Sequence, residues 1–458
     1  MPSAKKPLKN YEALDKQLLW HPFTQMKEWM ESPQLVIERG RGTYLYDIQG
    51  KEYLDGVSSL WANIHGHLHP RLVEAIRDQL SVLDHSTFLG LANVPAVALA
   101  ERLLEIAPPN LKRVFYSDNG STAVEIALKM SFQYWRQKGR GFSRKRRFIS
   151  FTKAYHGDTI GSVSVSGVDL FQKIFKPLLF KSIKVFYPDC YRCPFGKHPD
   201  RCQIYCLKEF ETALRKHHQE VCAVVVEPAI QGAAGMLTAP PGFLKRIETL
   251  CREYHVHLIL DEVATGFGRT GTMLACEQEQ VRPDFLALAK GLSGGMLPLA
   301  ATLTTGEIFS AFLGEYTDFK AFFHGHTYTG NPLACAAALA NLETFRAEKT
   351  LQKLRPKIRY MRERLNEFLG LCHVGDIRQA GFMVGIELVK DKSAKAPYPA
   401  SQRVGHAVIL EARRRGVILR PLGNVIVLMP PLSISRSELK FLLDVTYESI
   451  RAATENAS

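Results

Sequence analysis

Leu258-Ile259-Leu260-Asp261-Glu262-Val263-Ala264-Thr265-Gly266-Phe267-Gly268-Arg269-Thr270-Gly271 and, further on, Pro283-Asp284-Phe285-Leu286-Ala287-Leu288-Ala289-Lys290-Gly291 decide how this chain is read. In each, an apolar run ends on a charged residue, Asp261 in the first and Lys290 in the second. Cys222-Ala223-Val224-Val225-Val226-Glu227 and Arg113-Val114-Phe115-Tyr116-Ser117 are further strands. Near-continuous apolar runs are expected of strands buried on both faces. Helical stretches at Thr122 to Gln137 and Pro241 to Tyr254 alternate with them. This order predicts an α/β fold, a mostly parallel sheet with helices on both sides. The sheet belongs to a large domain over 71–340. Short alternating runs near the start (Thr43 to Asp47, then Gly50-Lys51) and mixed helices and strands near the end predict a smaller α+β domain. It is built from both chain ends, 1–70 and 341–458.

Lysine is rarely buried unless its amine is needed. Among small and apolar neighbours the Lys290 ammonium is desolvated, its pKa falls, and it becomes a nucleophile able to form an imine. A carboxylate on a neighbouring strand, Asp261, suits a pyridinium nitrogen. Together they point to pyridoxal 5'-phosphate (PLP) as cofactor. The turn Ser117-Asp118-Asn119-Gly120-Ser121-Thr122 lies where a strand passes into a helix. Gly120 allows close backbone approach there, Ser121 offers a hydroxyl, and helix-start N–H groups attract an anion, which makes a phosphate site. A second loop, His324-Gly325-His326-Thr327-Tyr328-Thr329-Gly330-Asn331-Pro332, offers Thr327 as another phosphate hydroxyl. Tyr155 follows a strand and can stack on a cofactor ring. Trp61 is a similar aromatic candidate. Arg420, after Gly416-Val417-Ile418-Leu419, is suited to a bidentate carboxylate contact.

The composition sets the frame. With 458 residues, 46% of them hydrophobic and 23% charged, this is an ordinary globular chain with room for two or three domains. No apolar run is long enough to span a bilayer, and Met1-Pro2-Ser3-Ala4-Lys5-Lys6 has no apolar stretch behind it, so a cytoplasmic enzyme is expected. The net charge of +14 concentrates in Arg144-Lys145-Arg146-Arg147 and Arg413-Arg414-Arg415. No nucleic-acid motif accompanies these runs, and they read as solvated surface. Nine cysteines without a secretory signal suggest free thiols. Cys190, Cys193, Cys202 and Cys206 cluster in a loop rich in Tyr, Pro and Gly, read as packed and metal-free, with a structural zinc site as the alternative. His324 and His326 have no carboxylate or Cys near them in sequence, so no metal is expected there either.

Taken together, these segments resemble the class III PLP-dependent aminotransferases of fold type I over nearly the whole chain. Within that class, Trp20-His21-Pro22-Phe23-Thr24-Gln25-Met26, Trp61-Ala62-Asn63-Ile64-His65-Gly66-His67 and Arg420-Pro421-Leu422-Gly423 are similar to the branch that converts 8-amino-7-oxononanoate into 7,8-diaminononanoate for biotin. The resemblance implies Lys290 as the catalytic lysine, Asp261 on the ring nitrogen, and Val263 and Tyr155 on the two ring faces. It implies Gly120 and Ser121 on the phosphate, with Thr327 and His326 serving the cofactor of a neighbouring subunit in a homodimer. Arg420 would take the distal carboxylate of the substrate, with Trp61, Tyr155 and Gly325 nearby. The implied donor is S-adenosylmethionine. Two positions depart from the pattern of its users, Leu60 in place of Trp and Phe23 in place of Tyr. Enzymes with a cysteine-bearing insertion like this one resemble a branch that uses lysine. Another class III enzyme acting on an ω-amino acid or ornithine is a further alternative.

Overall fold

The computed structural model describes residues 10–455; the opening segment Met1–Lys6 lies outside them. A seven-stranded sheet forms the centre, in the order Leu111–Ser117, Ala300–Thr305, Phe285–Leu288, His257–Asp261, Val221–Val226, Arg147–Phe151, Ile183–Val185. Six strands run one way. Ala300–Thr305 alone is reversed, antiparallel to both neighbours. The two stretches that open the sequence reading are adjacent and parallel, with Asp261 opposite Ala287. The carboxyl ends of the parallel strands therefore meet along one edge of the sheet. Ligands of open α/β sheets bind outside that edge.

The apolar content of these strands explains their place. Every residue of Val221–Val226 and of His257–Asp261 is buried, between helices on both faces. The helix Gly120–Gln137 starts two residues before the predicted Thr122 because Asn119 caps it. Asn119 Oδ1 accepts the Thr122 N–H at 3.1 Å, and Thr122 Oγ1 accepts the Asn119 N–H at 3.3 Å.

The two chain ends meet. The hairpin Tyr44–Asp47 and Glu52–Asp55 belongs to a four-stranded sheet that Val417–Ile418 completes by parallel pairing with Glu52–Asp55. A second C-terminal sheet contains Val374–Ala380, Met383–Asp391, Val425–Leu428 and Arg420–Leu422. Arg420 thus lies in a strand next to the paired ends. No helix among the described residues is long and apolar enough to cross a membrane.

One expectation fails in the run Arg144–Arg147. Arg144 and Arg146 are exposed, but Lys145 is only 5% exposed. Its ammonium donates to the backbone carbonyls of His218, Val221 and His255, so burial here is matched by hydrogen bonds rather than by a counter-ion.

Candidate active site

Lys290 follows the strand Phe285–Leu288 with φ +40°, a left-handed conformation uncommon for a residue with a Cβ. Its Nζ stands 5.3 Å from the centre of the Trp61 ring. Burial holds the amine below the usual lysine range; Asp261 and Glu227 oppose that shift and the Arg269 guanidinium adds to it.

Asp261 is buried at the end of its strand. Its Oδ1 accepts the Val263 N–H at 3.1 Å, and its Oδ2 stands 2.7 Å from His156 Nδ1. Glu227 follows the neighbouring strand Val221–Val226. Its two oxygens accept the backbone N–H groups of Tyr155 (3.1 Å) and Gly232 (3.0 Å), and burial pushes its pKa up to about 7. The Tyr155 hydroxyl donates to Asp158 Oδ2 at 2.7 Å. Burial raises that phenol, the Asp158 and Asp261 carboxylates add to the rise, and the Arg420 guanidinium opposes it.

A cavity of about 890 Å³ opens at this edge, and Trp61, Ser121, Tyr155, Asp261, Val263 and Lys290 are among the residues that line it. Gly120 lines it too. A Cβ added there would lie 2.5 Å from Val263 Cγ1, so only glycine lets the turn approach this closely. The donor set fits PLP: a desolvated amine, a buried carboxylate on an adjacent strand, and a capped helix start with a serine at the cavity wall.

Not every predicted residue reaches the cavity wall. Gly325 and Thr327 are exposed, and His326 meets the rim through Asp118, with its Nδ1 2.6 Å from Asp118 Oδ2. Arg420 does not line the cavity. Two site residues were not singled out from the sequence, His156 and Glu227. Glu227 carried a legible signal, since it ends an apolar run just as Asp261 and Lys290 do. His156 carried none: its contact with Asp261 joins residues 105 apart. Away from this edge, Cys190, Cys193, Cys202 and Cys206 line one small cavity of about 30 Å³, all as free thiols. Among the described residues no group of three or more His, Cys, Asp or Glu side chains is placed to hold a metal ion.

Comparison with known proteins follows the same lines. The family described as "Aminotransferase class-III" matches residues 25–450. The chain is 55% identical over 457 residues to the adenosylmethionine-8-amino-7-oxononanoate aminotransferase of Nitratidesulfovibrio vulgaris, covering 100% of this chain and 84% of that one. The enzyme of the same name from Geobacter sulfurreducens is 53% identical, covering 96% and 97%. A crystal structure of the enzyme of that name from Methanocaldococcus jannaschii superposes with a TM-score of 0.92 at 48% identity, over 96% of this chain and 98% of that one. An omega transaminase from Pseudomonas jessenii in complex with PMP gives 0.93 at 31% identity, over 98% and 99%. With a family match that runs almost from end to end and a cavity whose chemistry suits the cofactor, the chain belongs to the class III aminotransferases and is a PLP-dependent enzyme.

Proposed function

We propose that this enzyme aminates 8-amino-7-oxononanoate to 7,8-diaminononanoate in biotin biosynthesis, in the cytoplasm, with S-adenosylmethionine as amino donor. The observation that carries the reading is the convergence of Lys290, Asp261, Tyr155 and Trp61 on one cavity. The names of the relatives support the same acceptor and donor.

When bound, PLP supplies an aldehyde that condenses with amines and an electron-poor ring that stabilises a carbanion. Lys290 Nζ holds the cofactor at rest. With the cofactor bound, the same Nζ would be the base that takes the donor's α-proton and the acid that returns a proton when the keto acid is aminated. Its lowered pKa favours the uncharged amine that this needs. Asp261 would keep the ring nitrogen protonated, Val263 and Tyr155 would pack against the ring, and Gly120 and Ser121 would hold the phosphate. Arg420 would take the distal carboxylate of the keto acid, with Trp61 and Tyr155 beside it; Gly325, exposed in the single chain, would join them in the proposed homodimer.

Thr327 and His326 complete the phosphate site of a second subunit, so the working form is a homodimer. The exposed apolar residues around that loop support this. Leu89 is 90% exposed and Tyr316 92%, with Val82, Val94, Phe323 and Tyr328 also uncovered. His85 and Tyr328 bring the two segments together, their ring centres 5.0 Å apart. Exposed apolar side chains gathered around this loop suit a contact with a second subunit.

Lysine as donor is a second reading. Leu60 lines the cavity without an indole's stacking surface. Phe23, 5.2 Å from Phe171, which is in turn 6.0 Å from Tyr155, brings no hydroxyl.

The test is a single-turnover assay: the pyridoxal form is mixed with each donor, and the absorbance change to the pyridoxamine form is followed. S-adenosylmethionine should convert it, and the product should then aminate the oxononanoate with ping-pong kinetics. Conversion by lysine alone would select the second donor; failure to aminate the oxononanoate with either would reject the acceptor. Lys290→Ala should abolish turnover, and retained transamination would overturn its role.

A further inference from the structure

The turn that carries Leu60 and Trp61 into the cavity is held in an unfavourable backbone shape. Ser58, Ser59 and Trp61 have φ of +51°, +60° and +65°. Left-handed conformations are disfavoured for any residue with a Cβ, and a Trp there is a marked outlier. Three in four residues persist only if the surroundings impose them.

One buried carboxylate does most of that. Asp55, 0% exposed, ends the strand Glu52–Asp55. Both of its oxygens accept the Ser59 N–H at 2.8 Å. Oδ2 also accepts the Ser59 hydroxyl at 3.1 Å and stands 3.0 Å from His67 Nε2; Oδ1 accepts the Val57 N–H at 3.4 Å. Two other ties complete the clamp. Ser58 Oγ donates to the Met429 carbonyl at 2.8 Å, and Arg269 Nη2 donates to the Asn63 carbonyl at 2.7 Å. The end product is the placement of Trp61 over Lys290 Nζ and of Leu60, 52% exposed, at the cavity wall. Charge-assisted hydrogen bonds are the strong ones, and a carboxylate with several donors is hard to replace by a neutral group.

We propose that Asp55, oriented by His67, is a positioning residue for substrate selection: it holds the Ser58–Trp61 turn and so fixes where Leu60 and Trp61 meet the substrates. This rests on the reading of Trp61 as a substrate contact. Asp55 is not in the cavity wall, and it acts through the turn.

Asp55→Asn tests it, because the amide keeps the size and one acceptor but loses the charge and the second acceptor. Four quantities are measured on the holoenzyme: KM and kcat for the oxononanoate, the ratio of kcat/KM between the two candidate donors, the PLP dissociation constant, and the melting temperature. The expected result is a rise in KM of about 10-fold or more, a changed donor ratio, and PLP affinity within about 2-fold of the parent. His67→Gln, which keeps a donor toward Asp55, should give the same pattern in weaker form. Unchanged kinetics in Asp55→Asn would overturn the proposal. So would a parallel fall of PLP affinity, melting temperature and activity toward both donors, which marks general unfolding. Trp61→Ala is the control. If it leaves KM unchanged, the substrate reading of Trp61 fails; if it raises KM while Asp55→Asn does not, the positioning role alone fails.

Discussion

Lys145 donates to the carbonyls of His218 at 2.8 Å, Val221 at 3.0 Å and His255 at 2.8 Å, and its Nζ lies 4.4 Å from the centre of the Trp135 ring. Lys145→Met keeps the aliphatic stem but leaves those carbonyls without a donor. Stability should fall by about 3 kcal/mol, read as a lower midpoint in chemical denaturation, with PLP affinity unchanged. An unaffected midpoint would mean that water replaces the amine at no cost. The same contrast between what a residue is and where it points governs what could be read of the site. Lys290 and Asp261 were legible because a charge at the end of an apolar run is a conflict that function resolves. Gly120 and Ser121 were legible from the strand-to-helix turn. Lys145 sat in a run of like charges with no such conflict in view, since its carbonyl partners, His218 and Val221 in one segment and His255 in another, lie far from it in sequence. Asp55 and His156 were hidden for the same reason: their partners are set by tertiary contacts.

The helix Gly120–Gln137 and the strand His257–Asp261 are joined by a buried polar contact. Ser131 Oγ is 2.9 Å from His257 Nδ1, and the imidazole stacks on Trp135 with ring centres 4.7 Å apart. Burial, with help from Lys145 and Arg252, drives the His257 pKa down to about 3. In the unfolded chain a histidine titrates near 6.5. Between these values the unfolded state binds the extra proton, so the folding free energy from this group is full above about pH 6.5 and is lost as pH falls toward 3. The slope reaches about 1.4 kcal/mol per pH unit. His257→Gln should flatten the acid side of a stability–pH curve measured by denaturant titration; an unchanged slope would assign the acid sensitivity to other groups. Elements such as these were legible because burial on both faces leaves a continuous apolar run. Their ends were less so: the helix predicted from Thr122 begins at Gly120, and the helix predicted over Pro241 to Tyr254 spans Phe243–Glu253. The reversal of Ala300–Thr305 was not legible at all, since an apolar pattern is the same read in either direction.

For the whole molecule, the proposed homodimer would cover the exposed apolar segments near Leu89 and Tyr316. On that proposal, Leu89→Asp together with Tyr316→Asp should shift sedimentation from dimer to monomer and weaken PLP binding by about 10-fold or more, because the proposed contacts of Thr327 and His326 with the second subunit's phosphate would be lost. A dimer that survives both changes would place the interface elsewhere. The joining of the chain ends has another consequence, in the order of events during synthesis. Leu54 pairs with Val417 and Asp55 with Ile418. Contacts so far apart in sequence are slow to form and come late. On the ribosome the central sheet, complete by residue 305, can assemble while the first hairpin still waits for its partner strand. The Trp61 turn stays unclamped until that strand and Met429 arrive, so a nascent chain can own a folded core well before it owns a selective site.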